Sequence, residues 1–219
     1  MNTALATPDR DCPLCPRLVD FRLANRAAFP GWHNAPVPSF GGLDAKLLIV
    51  GLAPGLKGAN RTGRPFTGDY AGDLLYATLL KTGLARGSYG KRPDDGLELI
   101  GVRITNAVRC VPPENKPTGI EARSCRPFLV AEMAAMPNLK GVLALGQLAH
   151  TAVVATLQLK QVATKFSHGA VHPLPGGRFL ADSYHCSRYN TNTGTLTEEM
   201  FEAVVADSAR RVGLASEKR

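Results

Sequence analysis

Four of the five cysteines stand where a metal could be held. Cys12 and Cys15 form a C-x-x-C pair, which presents two thiolates from one tight turn, the bite of a tetrahedral metal centre or an iron–sulfur cluster. Cys110 and Cys125 follow far downstream in Arg- and Pro-rich sequence, with 14 residues between them. A second pair arriving from mid-chain would pin the N-terminal segment to the body of the fold. The spacing leaves zinc, an iron–sulfur cluster and metal-free buried thiols all open. Three further residues could do acid–base and polar chemistry: Asp69, Asn106 and His185. A carboxylate, a carboxamide and an imidazole in one crevice can orient a polar substrate, move a proton and stabilise developing charge.

Whether they meet depends on the elements that carry them. Residues 46–52 (KLLIVGL) form a short apolar run feeding a Gly-rich loop, the pattern of a buried strand. Residues 72–84 are amphipathic and predict a helix with Gly83 near its end. Residues 100–108 (IGVRITNAV) predict a second strand, 141–146 (GVLALG) a third and 178–183 (RFLADS) a fourth. Thr118 and Glu121 match a capping box opening a helix to about residue 136, with Cys125 in its early turns. A helix follows near 147–159, and Thr195 with Glu198 matches a second capping box opening a terminal helix that ends near Gly213. Strands alternating with helices predict an α/β fold whose mostly parallel sheet is covered on both faces. In such sheets the site lies beyond the carboxyl ends of the strands, where Asp69, Asn106 and His185 would all fall.

Composition bounds the rest. With 219 residues, 44% of them hydrophobic, the chain can bury one sizeable core, and nothing marks an internal boundary, so residues 1–219 are expected to form a single domain. There is no apolar run of bilayer length and no signal-peptide pattern at the start, so no membrane is expected and the cytoplasm is the expected compartment. There, clustered cysteines more often mean metal than disulfides. The formal net charge of +8 favours a polyanionic partner, nucleic acid being the commonest.

Four segments together, Gly51-Leu-Ala-Pro-Gly55, Gly63-Arg-Pro-Phe-Thr-Gly68, Arg109-Cys-Val-Pro-Pro113 and Ser183-Tyr-His-Cys-Ser-Arg188, resemble the iron–sulfur uracil-DNA glycosylases, and most of all their fifth family, the UDGb type. The resemblance runs from Cys12 to the terminal helix. It implies a three-layer α/β/α sandwich around a central, mostly parallel four-stranded sheet and a 4Fe-4S cluster on Cys12, Cys15, Cys110 and Cys125. It also implies, as substrate, DNA containing uracil or another deaminated base, acted on by a monomer.

Within that resemblance the residues take specific roles. Phe66 is expected to stack on a flipped base, and Asn106 to read its O4 and N3–H edge with one acceptor and one donor. His185 is expected to donate to O2, and backbone N–H groups from Gly51 through Ala53 to Gly55 to approach the base closely. Most branches of the superfamily place an acidic or amide residue inside the first motif. This chain has Ala53 there, so Asp69 becomes the expected carboxylate, with Asn115 helping to position water. No lysine occupies a motif position, so hydrolysis without strand cleavage is expected. Arg61, Arg64, Arg109, Lys116 and Arg188 are expected to contact DNA, with Arg188, Tyr189 and Asn190 filling the gap left by the base. Two other readings fit the cysteines and the charge: a non-enzymatic nucleic-acid-binding protein with structural zinc, and a redox protein whose cluster does the chemistry.

Overall fold

The computed structural model describes residues 5–214. Its strands are apolar at successive positions because both faces of the sheet are covered. β1 (Leu47–Gly51) is buried at every residue and lies between β4 (Val102–Asn106) and β5 (Gly141–Leu145), both parallel to it. β7 (Arg178–Ser183) continues the parallel set, and β6 (Val171–Leu174) pairs antiparallel with β7 at the edge, giving the order β4-β1-β5-β7-β6. Alternate residues of β1 and β5 serve opposite layers. Leu47, Ile49, Leu143 and Leu145 meet α3 (Tyr70–Lys81) and α7 (Glu198–Arg211), whereas Leu48, Val50, Val142 and Ala144 meet α4 (Gly119–Ala134) and α5 (Gln147–Thr156). This is the expected three-layer α/β/α sandwich.

The expected sheet of four strands gains a fifth. The missed strand reads V-H-P-L, and Pro173 cannot donate to a ladder, which confines such a segment to a sheet edge. The sequence pattern also passes over α1 (Pro16–Ala28), whose buried residues are Leu18, Arg22 and Asn25. Polar anchors, not an apolar stripe, hold this helix. Arg17 bonds both carboxylate oxygens of Glu121 at 2.7 Å, and Arg22 donates to the Cys12 carbonyl at 3.2 Å. Glu121 closes the capping box with Thr118 as well, so one carboxylate both starts α4 and ties α1 to it. The second expected capping box is displaced. The cap of α7 is Thr197, which accepts from Met200 N–H, while the Thr195 hydroxyl bonds Thr193.

Two smaller features bear on the site. A short antiparallel pair, β2 (Ala85–Arg86) with β3 (Glu98–Leu99), projects the loop that carries Tyr89 and Asp95. A short helix, α6 (Arg188–Asn192), begins just past β7, capped by Ser187. Among the described residues no helix is long and apolar enough to cross a membrane.

Candidate active site

Beyond the carboxyl ends of β1, β4 and β7 lies a cavity of about 230 Å³. Its walls include Ala53, Gly55, Phe66, Asp69, Asn106, Asn115 and His185, so residues spread over more than half the chain share one crevice. Pro54, Ala71 and Ser187 also line it, and the sequence reading had not singled them out. Ser187 was legible as a helix cap three residues before Asn190.

The floor is a three-way contact. Gly51 ends β1, and a Cβ placed on it would lie 2.5 Å from both Asn106 Oδ1 and Phe66 Cζ. Only the missing side chain lets the ring and the carboxamide close over the strand. Phe66 holds a left-handed backbone at φ 54°, rare for a bulky residue, and its ring centre sits 6.2 Å from that of His185 at an interplanar angle of 30°. Asn106 is buried, and its Oδ1 has no hydrogen-bond partner among the described residues. An unpaired buried acceptor costs roughly 1–3 kcal/mol, so such a group marks a place where a ligand supplies the partner.

Asp69 caps α3, its Oδ1 accepting from Gly72 N–H at 3.1 Å. Burial raises its pKa above the usual 3.8, against the lowering effect of that backbone bond. His185 follows β7, with its carbonyl held by the Asn190 amide at 2.8 Å, and burial lowers its pKa below 6.5, favouring the neutral imidazole. Cys186, fully buried, donates toward the Ala71 carbonyl, and burial pushes its thiol up to about 12. Asn115 stands exposed at the mouth beside Glu114, both left-handed at φ 57° and 54°.

Three expected DNA contacts take other positions. Arg64 is 4% exposed and Arg109 3%, so neither can reach a phosphate. Arg64 is spent on Asp95 at 2.7 and 2.8 Å, and Arg109 on Glu132 and Ser39. Asn190 gives its amide to His185 and supports it from within. Arg61, Lys116, Arg188 and Tyr189 are exposed, Tyr189 at 74%, and the Arg188 guanidinium lies 5.2 Å from the Tyr70 ring centre.

The four expected metal ligands converge. Cys12, Cys15, Cys110 and Cys125 line one small cavity with Arg22 and Phe128, and none of the four is in a disulfide. Arg22 reaches toward Cys110 Sγ at 3.9 Å, and Arg109 N–H donates to Cys125 Sγ at 3.4 Å. Burial pushes the Cys110 thiol up to about 12 and raises Cys15 and Cys125, so a bound cation is what would hold these sulfurs as thiolates. The donor set is all sulfur, which a zinc ion or an iron–sulfur cluster would accept.

The sequence also has known relatives. Residues 38–209 match the family model of the Uracil DNA glycosylase superfamily. The chain is 48% identical to the type-5 uracil-DNA glycosylase of Thermus thermophilus over 208 residues, covering 93% of this chain and 94% of that protein. The enzyme of the same name from Mycobacterium leprae is 42% identical (93% and 92% covered), and that from Pyrobaculum aerophilum 41% (93% and 90%).

The raised pKa of Asp69 has a consequence for stability. The unfolded group titrates near 3.8 and the folded group higher, so above the folded pKa the buried carboxylate costs stability, and below about 3.8 that cost is gone. Asn caps helices as well as Asp does. Asp69→Asn therefore raises the thermal midpoint at neutral pH, and the gain shrinks as pH falls through the raised pKa, as read by melting curves at several pH values.

Proposed function

The chain belongs to the uracil-DNA glycosylase superfamily, and from that premise we propose that it is a monofunctional DNA glycosylase of base excision repair. It flips uracil, and other deaminated bases such as hypoxanthine, out of DNA and hydrolyses the N-glycosidic bond. The observation that carries this reading is the unpaired Asn106 Oδ1 on the wall of a cavity shared with Phe66, Asp69 and His185. A flat base entering there stacks on the Phe66 ring, an interaction worth roughly 1–3 kcal/mol, which offsets part of the cost of unstacking. The Asn106 carboxamide pairs with the O4 and N3–H edge of uracil and so satisfies its own buried oxygen.

Breaking the bond leaves an electron-deficient sugar and a base anion. His185, neutral through burial, donates an N–H to O2 as negative charge develops there. Asp69 in its ionised form stabilises the positive sugar and accepts a proton from the attacking water, with Asn115 positioning that water at the mouth. Its raised pKa makes it a better base than an exposed aspartate and places the acid limb of the rate profile on this group. The products are the free base and an abasic site. Among the described residues no lysine lines the cavity, and the reaction is hydrolysis that leaves the strand intact.

Exposed Arg61, Lys116 and Arg188 take the phosphates, and Tyr189, standing out beside them, fills the gap in the stack. Cys12, Cys15, Cys110 and Cys125 hold a 4Fe-4S cluster. When bound, it supplies a cross-link between the lead-in to α1, the Arg109–Cys110 loop and α4. The protein acts as a cytoplasmic monomer, and its described residues build one glycosylase-like domain.

Incubation with uracil-containing duplex followed by alkali tests the activity: strands break at uracil for the native protein. Asp69→Ala and His185→Ala each lower the single-turnover rate about 100-fold or more while leaving DNA affinity nearly unchanged, and full activity in both would refute the assignment. Asn106→Ala lowers the preference for uracil over hypoxanthine, measured as a ratio of rates on matched duplexes, and an unchanged ratio removes Asn106 from base reading. Freshly purified protein carries about four iron atoms and broad visible absorbance, both lost on replacing Cys110 and Cys125, whereas zinc would give neither.

A further inference from the structure

Phe66 is held from behind by groups that never touch the cavity. The Tyr89 hydroxyl donates to the Phe66 carbonyl at 3.2 Å and accepts from Gly68 N–H at 3.2 Å, so a single oxygen spans the left-handed residue and the next turn. On the far side of the same carbonyl runs the first turn of α3. A Cβ on Gly72 would lie 1.5 Å from Phe66 O, which leaves that carbonyl no room to swing away. Gly72 N–H is also the donor that caps onto Asp69, so the pose of Phe66 and the pose of the carboxylate share one backbone segment.

Tyr89 is itself fixed. Its ring lies 4.6 Å from that of Tyr76, whose hydroxyl donates to the Pro65 carbonyl at 2.6 Å. Arg64 sits among Phe40, Tyr76 and Tyr89 with its guanidinium carbon 5.1 to 5.8 Å from their ring centres, and its Nε donates to Thr67 Oγ1 at 2.7 Å. Asp95 receives both ends of that guanidinium and also Gly90 N–H and Leu97 N–H, which locks the loop bearing Tyr89 onto the loop bearing Phe66. The pair is 5% and 2% exposed at its side chains, and the arginine holds the Asp95 carboxyl far below the usual carboxylate range. Burial pushes the Tyr89 hydroxyl up to about 12, so it keeps its proton to donate throughout the neutral range.

We infer that Tyr89, braced by the Arg64–Asp95 pair, is a positioning residue for the reaction: it holds Phe66 in the left-handed pose that makes its ring a base platform and keeps Asp69 in line with it. The inference rests on Phe66 being the stacking surface. A left-handed aromatic residue persists only where its surroundings over-determine it, and here one phenol oxygen and one helix backbone do so. Tyr89→Phe removes the two hydrogen bonds while keeping the ring on Tyr76, so its effect on rate separates from its effect on folding.

The test is single-turnover base release from uracil-containing duplex, with inhibition by free uracil as a second readout. Tyr89→Phe lowers the rate about tenfold and weakens inhibition by uracil, while affinity for undamaged duplex stays as in the native protein. Val153→Ala, a buried change on α5, sets the comparison: it lowers the thermal midpoint and leaves rate and inhibition unchanged. In a Phe66→Ala background the Tyr89→Phe loss shrinks, because there is no ring left to hold and only the alignment of Asp69 remains. Asp95→Asn gives the same pattern in milder form and serves if Tyr89→Phe folds poorly. A Tyr89→Phe rate within twofold of native, or a loss undiminished without the Phe66 ring, overturns the clamp. Full activity of Phe66→Ala instead overturns the stacking role on which it rests.

Discussion

The carboxylate of Glu132, 1% exposed on α4, gathers the part of the fold that carries the chemistry. Arg103 and Arg109 both bond it, and the Thr105 hydroxyl donates to it at 3.0 Å. Arg109 also reaches the Ser39 hydroxyl, and Arg103 the Gly41 carbonyl, so strand β4, helix α4 and the 39–41 segment close on one charge. Leaving a buried charge like this without a partner costs about 3–5 kcal/mol, which makes the arrangement all-or-none. Asn106 ends the strand so held, Cys110 follows Arg109 directly, and Cys125 lies two turns before Glu132. Asn106 and two of the four clustered cysteines are thus placed by the same ion pairs. Arg109, which reads as a DNA contact in the sequence, serves as an internal strut.

Around that frame the cavity is built at the expense of stability. Phe66, Glu114 and Asn115 are all left-handed, Asn106 Oδ1 has no partner among the described residues, and Asp69 is ionisable yet half-buried. Each of these carries a cost of the order of 1–3 kcal/mol when nothing is bound. In the proposed reaction a flipped base and its water would satisfy the amide and the carboxylate directly. Enzyme sites commonly concentrate strain in this way, because preorganised groups need no rearrangement as charge develops.

Much of this was legible from residue types. The apolar runs of β1, β4, β5 and β7 were visible because strands buried on both faces read as continuous hydrophobic sequence, and the Thr118–Glu121 box marked the start of α4. Asp69, Asn106 and His185 could be brought together because a parallel sheet sends its strand ends to one side. What failed was whatever depended on pairing across the fold. α1 is anchored through Arg17 and Arg22, which look like surface residues until their partners are known. Pro173 disguised β6. Arg64 and Asp95 are far apart in sequence, and nothing local signals that they meet, so the brace behind Phe66 was invisible. Asn190 looked like a wedge because sequence shows an amide beside His185 and hides that it bonds the His185 carbonyl.

The most direct measurement is a crystal structure of the Asp69→Ala variant bound to uracil-containing duplex, in which the substrate bond stays intact. The flipped uracil should stack on Phe66, with its O4 and N3–H edge on the Asn106 carboxamide and O2 within hydrogen-bond distance of a His185 nitrogen. A uracil left in the helical stack, or seated in this cavity with its Watson–Crick edge away from Asn106, would contradict the account.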